Sequence, residues 1–93
     1  MTAPDRGDVR RFLITEVAAR LTSQGRKIEP AEISDDTDLL LGGFIDSFGL
    51  LELAAALGDF CGVELDFSEL DPDELTIVGP LCDFAAAQAA GQS

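Results

Sequence analysis

Three stretches of this 93-residue chain repeat apolar residues at spacings of three and four, and almost nothing in it alternates like a sheet. Val9, Phe12, Leu13, Val17 and Leu21 form the first stripe. Leu50, Leu53, Ala54, Leu57 and Cys61 form the second, and Val78, Leu81, Cys82 and Ala85 the third. That period marks helices that bury one face. The single alternating run, Val63 to Phe67, has no second segment to pair with, so it reads as an extended connector. Packing three such faces together gives an all-α bundle.

The punctuation sets the expected boundaries. The first helix runs from about Asp8 to Gln24, with Asp5 or Asp8 as its cap and Gly25 at its stop. The second runs from Ser47 to Cys61 and ends at Gly62. Asp71-Pro72-Asp73-Glu74 reads as the start of a short third helix, with a cap, a proline and acids in its first turn. The last helix runs from Val78 to Ala90, closed by Gly91. Residues 26–46 show no sustained period, and Pro30, Asp35-Asp36 and Gly42-Gly43 mark a long ordered loop with a possible turn near Glu32. Its apolar residues Ile28, Ile33, Leu39, Leu40, Phe44 and Ile45 are expected to dip into the core. Residues 1–7 read as an N-terminal tail, 8–90 as one domain and 91–93 as a C-terminal tail.

The net charge is −12, unevenly spread. All six basic residues (Arg6, Arg10, Arg11, Arg20, Arg26, Lys27) fall in the first 27 positions, which carry +3; residues 28–93 hold fifteen acids and no base. Such a surface repels nucleic acid and anionic membrane and favours partners with basic patches. The plain alternative is an acidic face that keeps a small protein soluble. Cys61 and Cys82 are far apart, and with no CxxC pair and no histidine a metal site is not expected. Both sit at apolar helix positions and read as buried free thiols. No apolar run could span a membrane and no signal-peptide core is present, so a cytoplasmic protein is the expectation, and its small size points to a monomer.

The most telling stretch is Gly43-Phe44-Ile45-Asp46-Ser47-Phe48-Gly49-Leu50-Leu51-Glu52-Leu53. A hydroxyl at a helix N-terminus lies where free N–H groups and the helix dipole favour an anionic substituent. The stretch resembles the 4'-phosphopantetheine attachment site of acyl carrier proteins, where Asp-Ser opens the second helix of a four-helix bundle with three main helices and one short one. The resemblance spans about Asp8 to Gln88. It includes the long first loop, the Gly62-Val63-Glu64-Leu65 run and the Thr76-Ile77-Val78-Gly79 lead-in to the last helix. It looks closest to discrete carriers of polyketide or non-ribosomal peptide pathways.

There are departures. Leu41 replaces a common polar residue and adds apolar surface. Cys61 stands where phenylalanine is usual, which implies repacking around Phe60. The Phe67–Leu75 segment is about two residues longer than in fatty-acid carriers. Gly49 weakens its helix and would leave room for a closely approaching partner. The Gly-Gly-x-Ser form of many peptidyl carriers is absent.

The resemblance implies that a phosphopantetheinyl transferase esterifies Ser47 from coenzyme A, with Asp46 contacting that enzyme or its metal. The arm's thiol would carry acyl or aminoacyl groups as thioesters, with cargo sheltered between the second and third helices. Phe48, Leu51, Glu52 and Ala55 are the implied docking residues, with Asp59 also on the charged rim. The implied partners are the transferase, a stand-alone adenylating ligase or acyltransferase, and downstream synthase or tailoring enzymes. No catalytic residue is read. The competing class is an acidic all-α interaction module, an inhibitor or nucleic-acid mimic, in which Ser47 is a plain helix cap. A calcium sensor is excluded, because neither of the acid-rich windows Asp35–Asp38 and Asp66–Glu74 has ligands at loop positions one, three and five with glycine at six.

Overall fold

The computed structural model describes residues 4–71 and 73–91. Three α-helices make up the frame: α1 (Arg6–Ser23), α2 (Ser47–Cys61) and α3 (Val78–Gly91). Single 3-10 turns occur at Pro30–Glu32 and Phe67–Glu69, and no strand forms among the described residues. The all-α helical bundle read from the sequence is the observed architecture.

Helix α1 starts two residues earlier than expected, inside the segment read as a tail. Asp5 and Asp8 act together there: Asp5 Oδ1 accepts the Asp8 N–H at 2.8 Å, and Asp8 Oδ2 accepts the Asp5 N–H at 3.3 Å. This capping box uses both candidate caps at once. The helix stops at Ser23, followed by Gly25 in the left-handed region.

The core is built from the three expected stripes. Val9, Leu13, Val17 and Leu21 of α1 meet Leu53, Leu57 and Cys61 of α2, and Val78, Leu81, Cys82 and Ala85 of α3; all are buried. Ile33, Leu39 and Ile45 of the long loop join them. Ile14 and Ala89 are buried as well, which the stripes did not include, while Leu50 and Ala54 are only half-buried. Phe12 and Phe60 stack at the edge, ring centroids 4.4 Å apart, and Phe60 is next in sequence to the buried Cys61.

The short third helix is not observed as a regular helix. Residues 73–76 form turns, closed by the Leu75 N–H on the Asp71 carbonyl at 3.1 Å and the Ile77 N–H on the Glu74 carbonyl at 3.1 Å; position 72 lies outside the described residues. The physical reason is competition. Ile77 forms an isolated antiparallel bridge with Asp38, and Leu39 donates to the Thr76 carbonyl at 2.8 Å. Backbone committed to the loop in extended form cannot also close helical turns.

The same loop caps α3. Val78 N–H donates to the Thr37 carbonyl at 3.0 Å and Gly79 N–H to the Asp35 carbonyl at 2.8 Å. Those groups would otherwise be orphans at a helix start. Gly79 permits the approach, since a Cβ there would lie 3.0 Å from the Asp35 carbonyl oxygen.

Helix α1 serves as the internal counter-ion of an acidic chain. Arg6 pairs with Asp35 at 2.9 Å and with Asp83, and Arg10 pairs with Asp35 at 2.8 Å. The basic segment thus staples the loop and α3 to α1.

Candidate functional site

The start of α2 is held by the tight turn before it. Asp38 Oδ1 accepts the N–H groups of Leu40 and Leu41, both at 3.0 Å, and the Leu39 carbonyl accepts those of Phe44 and Ile45 at 3.0 and 3.1 Å. The bond from the Leu41 N–H, with further ones from the Thr76 side chain and the Leu40 N–H, holds the Asp38 carboxyl below its usual range. Leu39 and Ile45 are buried anchors on either side of the turn. Gly43 takes the left-handed conformation that only glycine adopts freely, and Arg26 Nη1 donates to its carbonyl at 2.8 Å.

Helix α2 begins at Ser47 and ends at Cys61, the bounds expected from the sequence. Its cap is Asp46, whose Oδ1 accepts the Gly49 N–H at 2.6 Å. Ser47 is the first helical residue. It is exposed, and its hydroxyl makes no hydrogen bond to any described residue. The Ser47 and Phe48 N–H groups, at the first two helical positions, have no acceptor within the helix. An exposed hydroxyl beside free N–H groups at the positive end of a helix fits a phosphodiester substituent.

Gly49 has a different role from the one expected. The space above it is filled from within: a Cβ would lie 3.2 Å from Asp46 Oδ1 and 3.5 Å from Ile45 Cβ. Glycine here admits the cap's carboxylate rather than a partner. This is the site feature that sequence reading missed. Aspartate caps as well as serine does, and glycine three residues after it was the available signal.

Around Ser47 the surface is apolar. Leu41 is 86% exposed, Phe48 70% and Leu51 69%, and Ala55 is exposed one turn below Leu51. Single exposed apolar residues are ordinary; Phe48 and Leu51 put two large ones on the first two turns of the helix that Ser47 opens. Glu52 pairs with Arg20 of α1 at 3.4 Å. Arg20, Asp46, Phe48 and Glu52 line a groove of about 310 Å³ between α1 and α2, and the buried Arg20 Nε has no partner among the described residues.

A protein-family model described as the phosphopantetheine attachment site matches residues 13–83, well over half of the chain. The chain belongs to this family. It is therefore a phosphopantetheine-bearing carrier protein, whose prosthetic group is a covalently attached 4'-phosphopantetheine. No curated protein and no solved structure matches it. The interaction-module alternative made Ser47 the plain cap of α2, but in this carrier Asp46 fills that role. Both cysteines are free and buried, with Cys61 Sγ 3.9 Å from the Ala85 carbonyl. Among the described residues no helix is long and apolar enough to cross a membrane.

Proposed function

We propose that Ser47 is the attachment point, that the carrier holds acyl or aminoacyl intermediates as thioesters, and that it acts in polyketide or non-ribosomal peptide biosynthesis. One observation carries the first part: the Ser47 hydroxyl is exposed and unengaged at the first position of α2 because Asp46 does the capping. The attached group supplies a terminal thiol on a flexible arm. The chain supplies the placement. Asp46 and Arg26 hold the helix start in one geometry, so the hydroxyl is presented without a conformational search.

Phe48, Leu51 and Ala55 are the proposed apolar contact for partner enzymes, with Glu52 as a charged rim steered toward basic patches. The partners are a phosphopantetheinyl transferase, a stand-alone adenylating ligase or acyltransferase, and downstream synthase or tailoring enzymes. A patch this small suits docking that must release after each transfer. The protein acts as a monomeric cytoplasmic carrier rather than a catalyst, and tethering keeps its cargo at high effective concentration beside each docked site.

The test is an intact mass after incubation with coenzyme A and a broad-specificity transferase. A single phosphopantetheine adduct is expected on the wild type and none on Ser47→Ala. An unmodified wild type, with the transferase active on another carrier, would overturn the assignment.

A further inference from the structure

Most of the basic side chains of this acidic protein meet a carboxylate. Arg6 and Arg10 meet Asp35, Arg11 meets Asp8, and Arg20 meets Glu52. Arg26 and Lys27 do not. Arg26 donates to a neutral acceptor, the Gly43 carbonyl, at 2.8 Å and keeps its other N–H donors. Lys27 is exposed and pairs with no described residue. Among the described residues these are the two basic side chains that no carboxylate offsets.

Both stand at the Ser47 end of the bundle. The groove of about 310 Å³ sets Arg20, Ser23 and Gln24 on the last turn of α1 against Asp46, Phe48 and Gly49 at the start of α2. The Arg26 N–H returns to the Leu21 carbonyl at 2.8 Å, which keeps the chain leaving α1 at that end. Gly43, which carries the Arg26 guanidinium, precedes Ser47 by four residues, a span of at most about 14 Å. Of the acids on this corner, Glu52 is offset by Arg20 and Asp46 is turned onto the Gly49 N–H. Positive charge therefore stands unopposed beside Ser47, in a chain of net charge −12.

Attachment of the arm brings a polyanion to this corner. The Ser47 oxygen bonds to the phosphorus that bears the pantetheine, and the bond from that phosphorus to the oxygen bridging the two phosphates breaks. Adenosine 3',5'-bisphosphate leaves, and the Ser47 proton passes to solvent. The nucleotide departs on the side opposite the attacking oxygen, so cations that serve it belong some way from the hydroxyl rather than on it. The acidic chain repels such an anion as a whole. An ammonium and a guanidinium both bind phosphate well.

We propose that Arg26 and Lys27 form an anion-binding corner that receives the nucleotide phosphates of coenzyme A while the arm is attached. They act as positioning residues for the donor. The inference rests on Ser47 as the attachment point and adds a part of this chain that meets the donor.

The experiment titrates adenosine 3',5'-bisphosphate into the unmodified full chain, with adenosine as the uncharged control. Backbone amide shifts of Arg26, Lys27, Gly43 and Ser47 report binding. The bisphosphate is expected to move them and adenosine to leave them still. Lys27→Gln should weaken the apparent affinity about two- to fivefold, the range of one or two screened charge contacts. Lys27→Arg should restore it, and raised salt should erase the difference. Arg11→Gln removes the same charge beside Phe60, about 20 Å along α2 from Ser47, and should leave the affinity as it is. In arm transfer, Lys27→Gln should raise the KM for coenzyme A by a similar factor with little change in kcat. Silent amides, or equal losses from Lys27→Gln and Arg11→Gln, would overturn the proposal. So would slower transfer by Lys27→Gln without any nucleotide shifts, which would assign the corner to carboxylates of the partner enzyme. Failure of Ser47 to take the arm is a separate result: it removes the attachment assignment, and the titration then decides the anion-binding corner by itself.

Discussion

The Asp46 carboxylate accepts the Gly49 N–H at 2.6 Å, and with the cap filled in this way the hydroxyl of Ser47 is left free. Cap and glycine form one unit, because a side chain at position 49 would press on the capping oxygen at 3.2 Å. Replacing Asp46 with alanine should cost about 1 kcal/mol, and with asparagine far less. Gly49→Ala should gain helix propensity of up to about 1 kcal/mol, but only where the cap is absent. Urea denaturation of the two single variants and the double variant measures the coupling. An identical Gly49→Ala effect in both backgrounds would refute it.

Asp35 is the hub of the ion network, accepting from Arg10 Nε at 2.8 Å and Arg6 Nη2 at 2.9 Å. The bonds from Arg10 and then Arg6 hold its carboxyl below the usual carboxylate range. A carboxyl with a lowered folded-state pKa stabilises the fold above its unfolded pKa and loses that contribution as pH falls through the folded one. Thermal melts should therefore fall more steeply for the wild type than for Asp35→Asn from about pH 4 downward. Parallel curves would mean that the network adds nothing to stability.

Leu51 and Leu53 are near neighbours with opposite environments, one 69% exposed and the other fully buried. Leu53→Ala should destabilise the fold by about 3 kcal/mol. Leu51→Ala should leave stability within about 0.5 kcal/mol of wild type. It should nevertheless lower kcat/KM for arm transfer to Ser47 about tenfold, as loss of an interface anchor does. Transfer kinetics unchanged by Leu51→Ala would remove that residue from the docking surface.

Burial pushes the Cys82 thiol up to about 11 and raises that of Cys61 as well. Neither side chain should supply thiolate at neutral pH in the folded protein. A colorimetric thiol reagent should find no fast-reacting group in the native unmodified chain and two in urea, matching its two cysteines. Rapid labelling of Cys82 in the native state would show that α3 opens readily.

Much of this molecule could be read from its residues. Helix α2 runs over the residues expected, because an aspartate cap, an apolar stripe and a terminal glycine all act within a few positions of one another. Phe48, Leu51 and Ala55 lie outside the core stripe of α2 and were placed on a partner-facing side by the resemblance; they are exposed. The turn after Asp71 was misread, because its acids and proline are good helix starters locally while the loop at Asp38 and Leu39 claims its backbone. Gly49 was misread for the same kind of reason: its neighbour in space is a side-chain oxygen that sequence spacing does not place.

The sequence by itself determined the helix periods, the acid–base asymmetry between the first 27 residues and the rest, and the Asp-Ser pair at a helix start. These depend on residue type and short spacing, which the chain carries in any conformation. The tertiary structure alone decided which residue caps α2, how α3 is capped by loop carbonyls, and where the arginines of α1 spend their charge. Each of those is a contact between residues distant along the chain or a choice between two competent neighbours. Hydrogen-bond geometry settles such choices only once the core has brought the partners together.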